Sequence, residues 1–334
     1  MNDAPENNPF WLKGGDNRVS LYSSVRISRN YRGMNFPSSP GYGSFREVEK
    51  RTDDILSAYL QSGRIKKVSL ATVSQDQMVL YKKLRLLPEK RNALLSKFSF
   101  YHDSEKGAWL LTNYNDHLTF FANSQGTKIK KAYSDCSCFL RLFDESLLSA
   151  DGNGNFHTSE LGYFGSGLKC FSVLTLPALG ISGETDSVIP SVRHNGYSVR
   201  NCFGRQAEGS FLIISNRDSY SKTAASILND FVKLLSVLKI KMFELEEEKD
   251  GLTEVLAGKC KEIINYETLT FDDFIRIYYM LSFLRVRGRT GIGISRINSL
   301  LRRVILDSPG TEPGYVIRRS LKDEIFDSVK KYLK

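Results

Sequence analysis

Thr158-Ser159-Glu160 leads through a turn of small residues to Gly165-Ser166-Gly167-Leu168-Lys169, and from there into the apolar run Cys170 to Leu179. Two glycines shape that turn ahead of the apolar run. Glu160 stands before that turn and Lys169 after it, a carboxylate and a cation within ten residues. A second constellation is weaker. Cys136-x-Cys138 has the spacing of half a metal site, but no second Cys/His pair stands at ligand spacing and His102, His117, His157 and His194 are isolated. A structural zinc needs four ligands, so no metal centre is expected. Third, six arginines fall between Arg285 and Arg303, in a stretch (251–334) holding 15 Lys/Arg against 10 Asp/Glu. That density suits an anionic partner such as nucleic acid, and equally a solvated basic helix face.

The elements that must carry these residues can be read from periodicity. Val19 to Val25 reads as a strand entering a basic loop, Arg26 to Arg32, and Phe45 to Ser62 has helical spacing. Lys67 to Thr72 is strand-like, and 75–97 reads as a helix that Pro88 should break. Ala108 to Thr112 and Leu118 to Phe121 flank a polar turn and predict a hairpin. A helix is expected over 139–148, strands over 170–176, 197–203 and 210–215, then a long helix bearing Ile227, Phe231, Leu234, Leu238, Met242 and Leu245. The acidic run Glu244 to Asp250 and Gly251 mark a boundary. Beyond it everything reads helical: Thr270 and Asp273 form a capping-box-like start, and 295–306 and 318–333 are amphipathic. The expected organisation is a polar segment over 1–18, an α+β domain over 19–248 and an α-helical domain over 252–334.

The 334 residues are enough for one large domain and a smaller one, and 41% apolar composition is that of a folded protein. The longest apolar stretch, Cys170 to Ile181, is broken by Pro177 and falls short of the roughly 18 residues that span a bilayer. The polar, acidic start MNDAPENNPF is no signal peptide, and five scattered cysteines suggest no disulfides. A cytoplasmic protein without a membrane role is the expectation.

Four segments together resemble the ATP:guanidino phosphotransferases, and within them the bacterial protein arginine kinases. Leu21 to Pro37 (LYSSVRISRNYRGMNFP) resembles L-S-S-R-x-R-x-A-R-N-L-x-G-x-P-F-P, and Thr112 to Leu118 (TNYNDHL) resembles I-N-E-E-D-H-L-R. The glycine turn resembles T-S-C-P-T-N-x-G-T-G-x-R-A-S-V, and Val199 to Asn216 resembles V-R-G-x-Y-G-E-G-S-E-A-x-G-N-x-x-x-I-S-N with two residues fewer between its glycines. The resemblance implies the guanidino-kinase fold, a large mostly antiparallel sheet flanked by helices, followed by a helical domain. It also implies ATP with Mg2+ as cofactor. Such chemistry needs guanidinium groups around the phosphates, a carboxylate to orient the substrate cation and take its proton, and in-line positioning.

Carried across by residue, the resemblance puts Arg26 and Arg200 on the phosphates. Lys169 keeps charge at a third arginine position, while Ser24 and Thr119 occupy two more. Asn115 replaces a glutamate, Glu160 replaces the reactive cysteine, and Arg205 replaces a second glutamate, for which Glu208 is a candidate substitute. Asp116 and His117 keep the frame in a structural role, and Phe98 reads as core. Leu321 to Phe326 (LKDEIF) lacks the R-D-x-x-R-A phosphoarginine motif. These departures point to a pseudokinase acting by binding, as a regulator in stress response or protein quality control. The resemblance names as partners a zinc-binding activator protein, a Clp-type protease or a repressor, and a homodimer through the helical domain. The alternatives are an active kinase of protein arginine, with Glu160 or Glu208 as base, and a nucleic-acid-binding protein.

Overall fold

The computed structural model describes residues 19–74, 77–78, 81, 97–202, 211–248, 251–307 and 315–333. Eight strands form one sheet: β1 (Ser20–Arg29), β2 (Ile65–Ser69), β3 (Ser99–Asp103), β4 (Ala108–Thr112), β5 (Leu118–Gln125), β6 (Leu168–Thr175), β7 (Tyr197–Asn201) and β8 (Phe211–Asn216). Their order is β2-β3-β4-β5-β1-β6-β8-β7, and every neighbouring pair is antiparallel. The mostly antiparallel sheet that the sequence resemblance implied is therefore present.

β1 lies inside the sheet, between β5 and β6. Because side chains alternate across a strand, Val25 and Ile27 face one side and Ser24, Arg26 and Ser28 the other. The first side carries the helices. α2 (Ile129–Leu140) buries Ile129, Ala132, Cys136 and Phe139, spaced at three and four residues, and Phe139 meets Phe120 of β5 edge-on at 5.7 Å. α5 (Ala224–Glu248) buries Ile227, Phe231, Leu238, Met242 and Leu245, with Phe231 6.0 Å from the Tyr197 ring. α1 (Phe45–Gln61) follows the β1 exit, while α3 (Pro177–Ser182), with proline at its first turn, and α4 (Thr185–His194) follow β6.

After α5 come four more helices, α6 (Leu252–Ile264), α7 (Phe271–Val286), α8 (Ile294–Asp307) and α9 (Arg319–Tyr332). Tyr278 of α7 packs on Phe211 of β8 with ring centres 5.1 Å apart, so these helices adjoin the sheet. The expected capping box is complete: the Asp273 amide donates to Thr270 Oγ1 and the Thr270 amide to Asp273 Oδ2. Among the described residues no helix is long and apolar enough to cross a membrane.

Some local expectations need correction. Arg26 to Arg29 belong to β1 rather than to a loop, because cross-strand partners Phe121 and Lys169 flank Arg26 within the ladder. The helix expected over 139–148 lies at 129–140, where the apolar spacing faces the sheet; Glu145–Leu147 is a single 3-10 turn capped by Asp144. β3 and α4 were not anticipated, and most of the helix expected over 75–97 lies outside the described residues. Replacing Thr270 with alanine should cost about 1 kcal/mol and speed amide exchange in the first turn of α7, measured by hydrogen–deuterium exchange with mass spectrometry.

Candidate active site

Register decides which side chains meet on the face of the sheet away from α2 and α5. Arg26 lies opposite Phe121 on β5 and Lys169 on β6, Ser24 opposite Asn123 and Phe171, and Ser28 opposite Thr119. Paired residues in an antiparallel ladder share a face, so Ser24, Arg26, Thr119, Lys169 and Phe171 all point the same way. Arg200 on edge strand β7 pairs with Ile213, which pairs with Val173, and it joins that face from two strands beyond β6.

The cations are held by aromatic rings. The Arg26 guanidinium lies 5.3 Å from the centre of Phe171, and Lys169 Nζ lies 5.0 Å from the centre of Tyr163. Burial lowers the pKa of Lys169 below the ordinary lysine value; Glu160 opposes that shift, whereas Arg26 and Arg200 add to it. Those mutual effects place the four charges in one electrostatic neighbourhood. Ser24 is buried, with its hydroxyl donating to the Ala122 carbonyl at 3.3 Å, and Thr119 is buried too.

The loops above the strand ends supply the rest. Asn115 Nδ2 donates to Glu160 Oε1 at 3.0 Å, so two positions 45 residues apart in sequence meet at the site. Beneath them, Asp116 Oδ1 accepts from Asn30 Nδ2 at 2.7 Å, the Ser159 amide at 2.7 Å and the Ser159 hydroxyl at 2.9 Å. Asn30 Oδ1 in turn accepts from the His117 amide at 2.8 Å. His117 Nδ1 accepts from the Tyr31 amide at 3.0 Å, which leaves its proton on Nε2, 2.8 Å from the Asn35 carbonyl oxygen. Asp116 and His117 are thus scaffold.

Residues 47–248 match the family described as ATP:guanido phosphotransferase, C-terminal catalytic domain. The chain belongs to that family. The protein-arginine kinase of Halothermothrix orenii is 24% identical over 308 residues, covering 86% of this chain and 83% of that protein. The protein-arginine kinase of Caldanaerobacter subterraneus subsp. tengcongensis is 23% identical over 292 residues, covering 81% and 85%. The crystal structure of a lombricine kinase shares the fold with TM-score 0.59 at 18% identity, covering 75% of this chain and 74% of its own. The duplicated taurocyamine kinase of Schistosoma mansoni does so with TM-score 0.59 at 15% identity, covering 78% and 40%.

Against the phosphotransferase motifs, the structure brings Asn115 to Glu160 and sets Arg26 beside Lys169, while Ser24 and Thr119 bring no charge to that face. Arg200 stands exposed at the sheet edge. Arg205 and Glu208 lie outside the described residues. Sequence reasoning overlooked Phe171 and Tyr163. The signal for Phe171 was its position two residues after Lys169, which in a strand puts it on the same face.

Arg29 has a structural task. It is buried, its Nη1 donates to the Ser28 and Ser166 carbonyls at 2.7 and 2.9 Å, and its guanidinium lies 3.7 Å from the centre of Phe156. Burial lowers its pKa to about 10. A Cβ on Gly167, whose φ is +61°, would stand 2.6 Å from Arg29 Nη1 and 2.6 Å from the Ser28 oxygen. The glycine is thus required by the close approach of Arg29 beneath the turn. Cys136 and Cys170 are buried and burial raises both thiols, Cys170 to about 12, so neither is a nucleophile. Among the described residues no three His, Cys, Asp or Glu side chains converge as a metal site. Phe98 is core, 6.0 Å from the Tyr114 ring.

Gly167→Ala should destabilise the protein by about 2 kcal/mol through strain at positive φ and overpacking, read as a lower urea midpoint. His117 gives a pH dependence. Burial lowers its folded pKa below the unfolded value of about 6.5. Its contribution is complete above about 6.5 and declines as pH falls from there towards the folded pKa, because the unfolded chain then binds the extra proton. His102, likewise lowered by burial, acts in the same sense. Urea midpoints should drop between pH 7.5 and 5.5, and His117→Gln should flatten that slope.

Proposed function

We propose that this chain is a nucleotide-binding member of the family in which phosphoryl transfer has been lost or reduced to a trace, and which acts by binding other proteins. The observation that carries this reading is the state of the Ser24 position. Its hydroxyl is turned to the Ala122 carbonyl, and across the ladder Phe171 packs on Arg26, so an aromatic ring occupies space beside the remaining guanidinium. Thr119 adds a second neutral position. A donor aimed at transition-state charge is worth roughly 3 kcal/mol, and losing two lowers a rate about 10^4-fold.

Arg26, Lys169 and Arg200 remain to hold the phosphates of ATP with its magnesium; the bound nucleotide would supply the transferable phosphoryl group. Three cations on one face fit a polyphosphate, and Lys169 offers a point charge in place of a planar fork. On the substrate side the Asn115 amide cannot accept a proton. Protein partners follow from family resemblance: a zinc-binding activator, a Clp-type protease or a repressor in protein quality control, with a homodimer through α6 to α9. Nucleic acid is less well supported, because Arg289 pairs with Glu254, and Arg296 and Arg303 pair with Glu324, within the helical segment itself.

A second reading, residual kinase activity on protein arginine, is favoured by the Asn115–Glu160 hydrogen bond. It leaves one oriented carboxylate at the substrate side. Glu160 would take the proton from the guanidinium nitrogen as the new N–P bond forms and the bond to the ADP oxygen breaks.

Incubation with labelled ATP, magnesium and an arginine-rich protein, together with thermal-shift titration, tests the proposal. The expected result is an ATP-dependent rise in Tm without acid-labile phosphate on protein. The Arg26→Ala/Lys169→Ala double variant should abolish the shift. Stoichiometric transfer to arginine would overturn the proposal in favour of the second reading, and Glu160→Gln should then abolish the transfer.

A further inference from the structure

Beside Glu160 the chain displays an apolar side chain that its fold does not use. Leu161 is 84% exposed, the most exposed large apolar residue among those described, and Tyr220 is 59% exposed. The backbone that carries Leu161 is well fastened. The Tyr163 amide donates to the Glu160 carbonyl at 2.8 Å, the Phe164 amide to the Leu161 carbonyl at 3.1 Å, and the Ser219 amide to the Gly162 carbonyl at 2.7 Å. The last bond ties this one-turn helix to the loop bearing Tyr220, whose ring lies 6.0 Å from that of Phe164. The His157 ring stacks behind Phe164 at 5.6 Å. Leu161 is thus held out from a rigid base next to the site's carboxylate. Glu160 is itself exposed; Oε1 accepts from Asn115, and Oε2 takes no hydrogen bond from the described residues.

We propose that Leu161 and Tyr220 form an apolar ledge that selects a polypeptide bearing an apolar side chain within two residues of the cationic side chain taken by Glu160. The ligand class follows from charge and spacing. Glu160 attracts a guanidinium or ammonium group, whereas the neighbouring cations Lys169 and Arg26 repel a second one. Asp218, below Gly162, is already paired with Lys222 at 3.2 Å. Consecutive Cα atoms stand about 3.8 Å apart, so a chain that seats its cation on Glu160 brings its near neighbours over Leu161. A free guanidino compound reaches Glu160 but has nothing to lay on the ledge. Covering a leucine-sized side chain is worth about a factor of ten or more in affinity.

This inference rests on Glu160 as the acceptor of a substrate cation, and does not depend on nucleotide binding. The test is fluorescence anisotropy on the full chain, without nucleotide, using nine-residue peptides with one central arginine flanked by leucine or by serine. The leucine-flanked peptide should bind about tenfold tighter. Leu161→Ser/Tyr220→Ser should bring the two peptides to within about twofold while leaving the serine-flanked affinity in place. Replacing arginine by uncharged citrulline, or Glu160 by Gln, should weaken both peptides by a similar factor. Equal binding of the two peptides by the unmodified protein, no binding up to about 1 mM, or indifference to citrulline would overturn the proposal. The peptide comparison needs no variant, so a misfolded double variant leaves it decisive. Peptide discrimination without an ATP-dependent Tm shift removes the nucleotide reading and keeps this one; the converse result does the opposite.

Discussion

The buried carboxylate of Asp116 is the point from which the candidate site hangs. Its Oδ1 accepts from Asn30, at the exit of β1, and from the amide and hydroxyl of Ser159, one residue before Glu160. A buried carboxylate must be hydrogen-bonded, and removing its donors would leave an uncompensated charge. The inner strand, the β4–β5 turn and the loop of Glu160 are therefore locked to one another. His117 completes the knot between two backbone groups, which its neutral imidazole can satisfy and its charged form cannot. That scaffold sets the backbones of Asn115 and Glu160 side by side.

Scaffold residues and candidate site residues are distinct in this chain. Asp116, His117, Arg29 and Gly167 fix the shapes of the loops through buried contacts, while Ser24, Thr119, Asn115 and Glu160 depart from the motifs that the sequence resembles. Ser24 and Thr119 give up charge, and Phe171 fills the sheet face that a longer cation at position 24 would share. The amide of Asn115 stands on the β4–β5 turn and the carboxylate of Glu160 on the neighbouring loop, bonded to each other. Fold retention is cheap to understand, since the buried knot and the apolar back face are independent of what the exposed ends of Arg26 or Glu160 contact.

Much of the fold could be read from sequence where one period dominated. The α5 pattern at Ile227, Phe231, Leu238 and Met242, the β4–β5 hairpin and the Thr270 capping box are local signals, set by neighbours a few residues away. Reading failed where tertiary pairing overrode local character. Arg26 to Arg29 look like a polar loop, yet an inner strand can carry arginines when a facing aromatic ring or a buried carbonyl receives them. The helix lies ahead of residue 139 because the side that faces β5 is fixed by Ile129 and Ala132, N-terminal to the stretch 139–148.

The sequence by itself determined the family, the identity of each departing residue and the order of the segments that carry them, because motifs are strings. It could not say that Asn115 bonds to Glu160, that Phe171 shares a face with Arg26, or that Gly167 is a glycine because Arg29 lies beneath it. Those relations join residues tens to more than a hundred positions apart. Only strand register and the Asp116 knot bring them within a few ångströms, where hydrogen bonding, stacking and van der Waals exclusion operate.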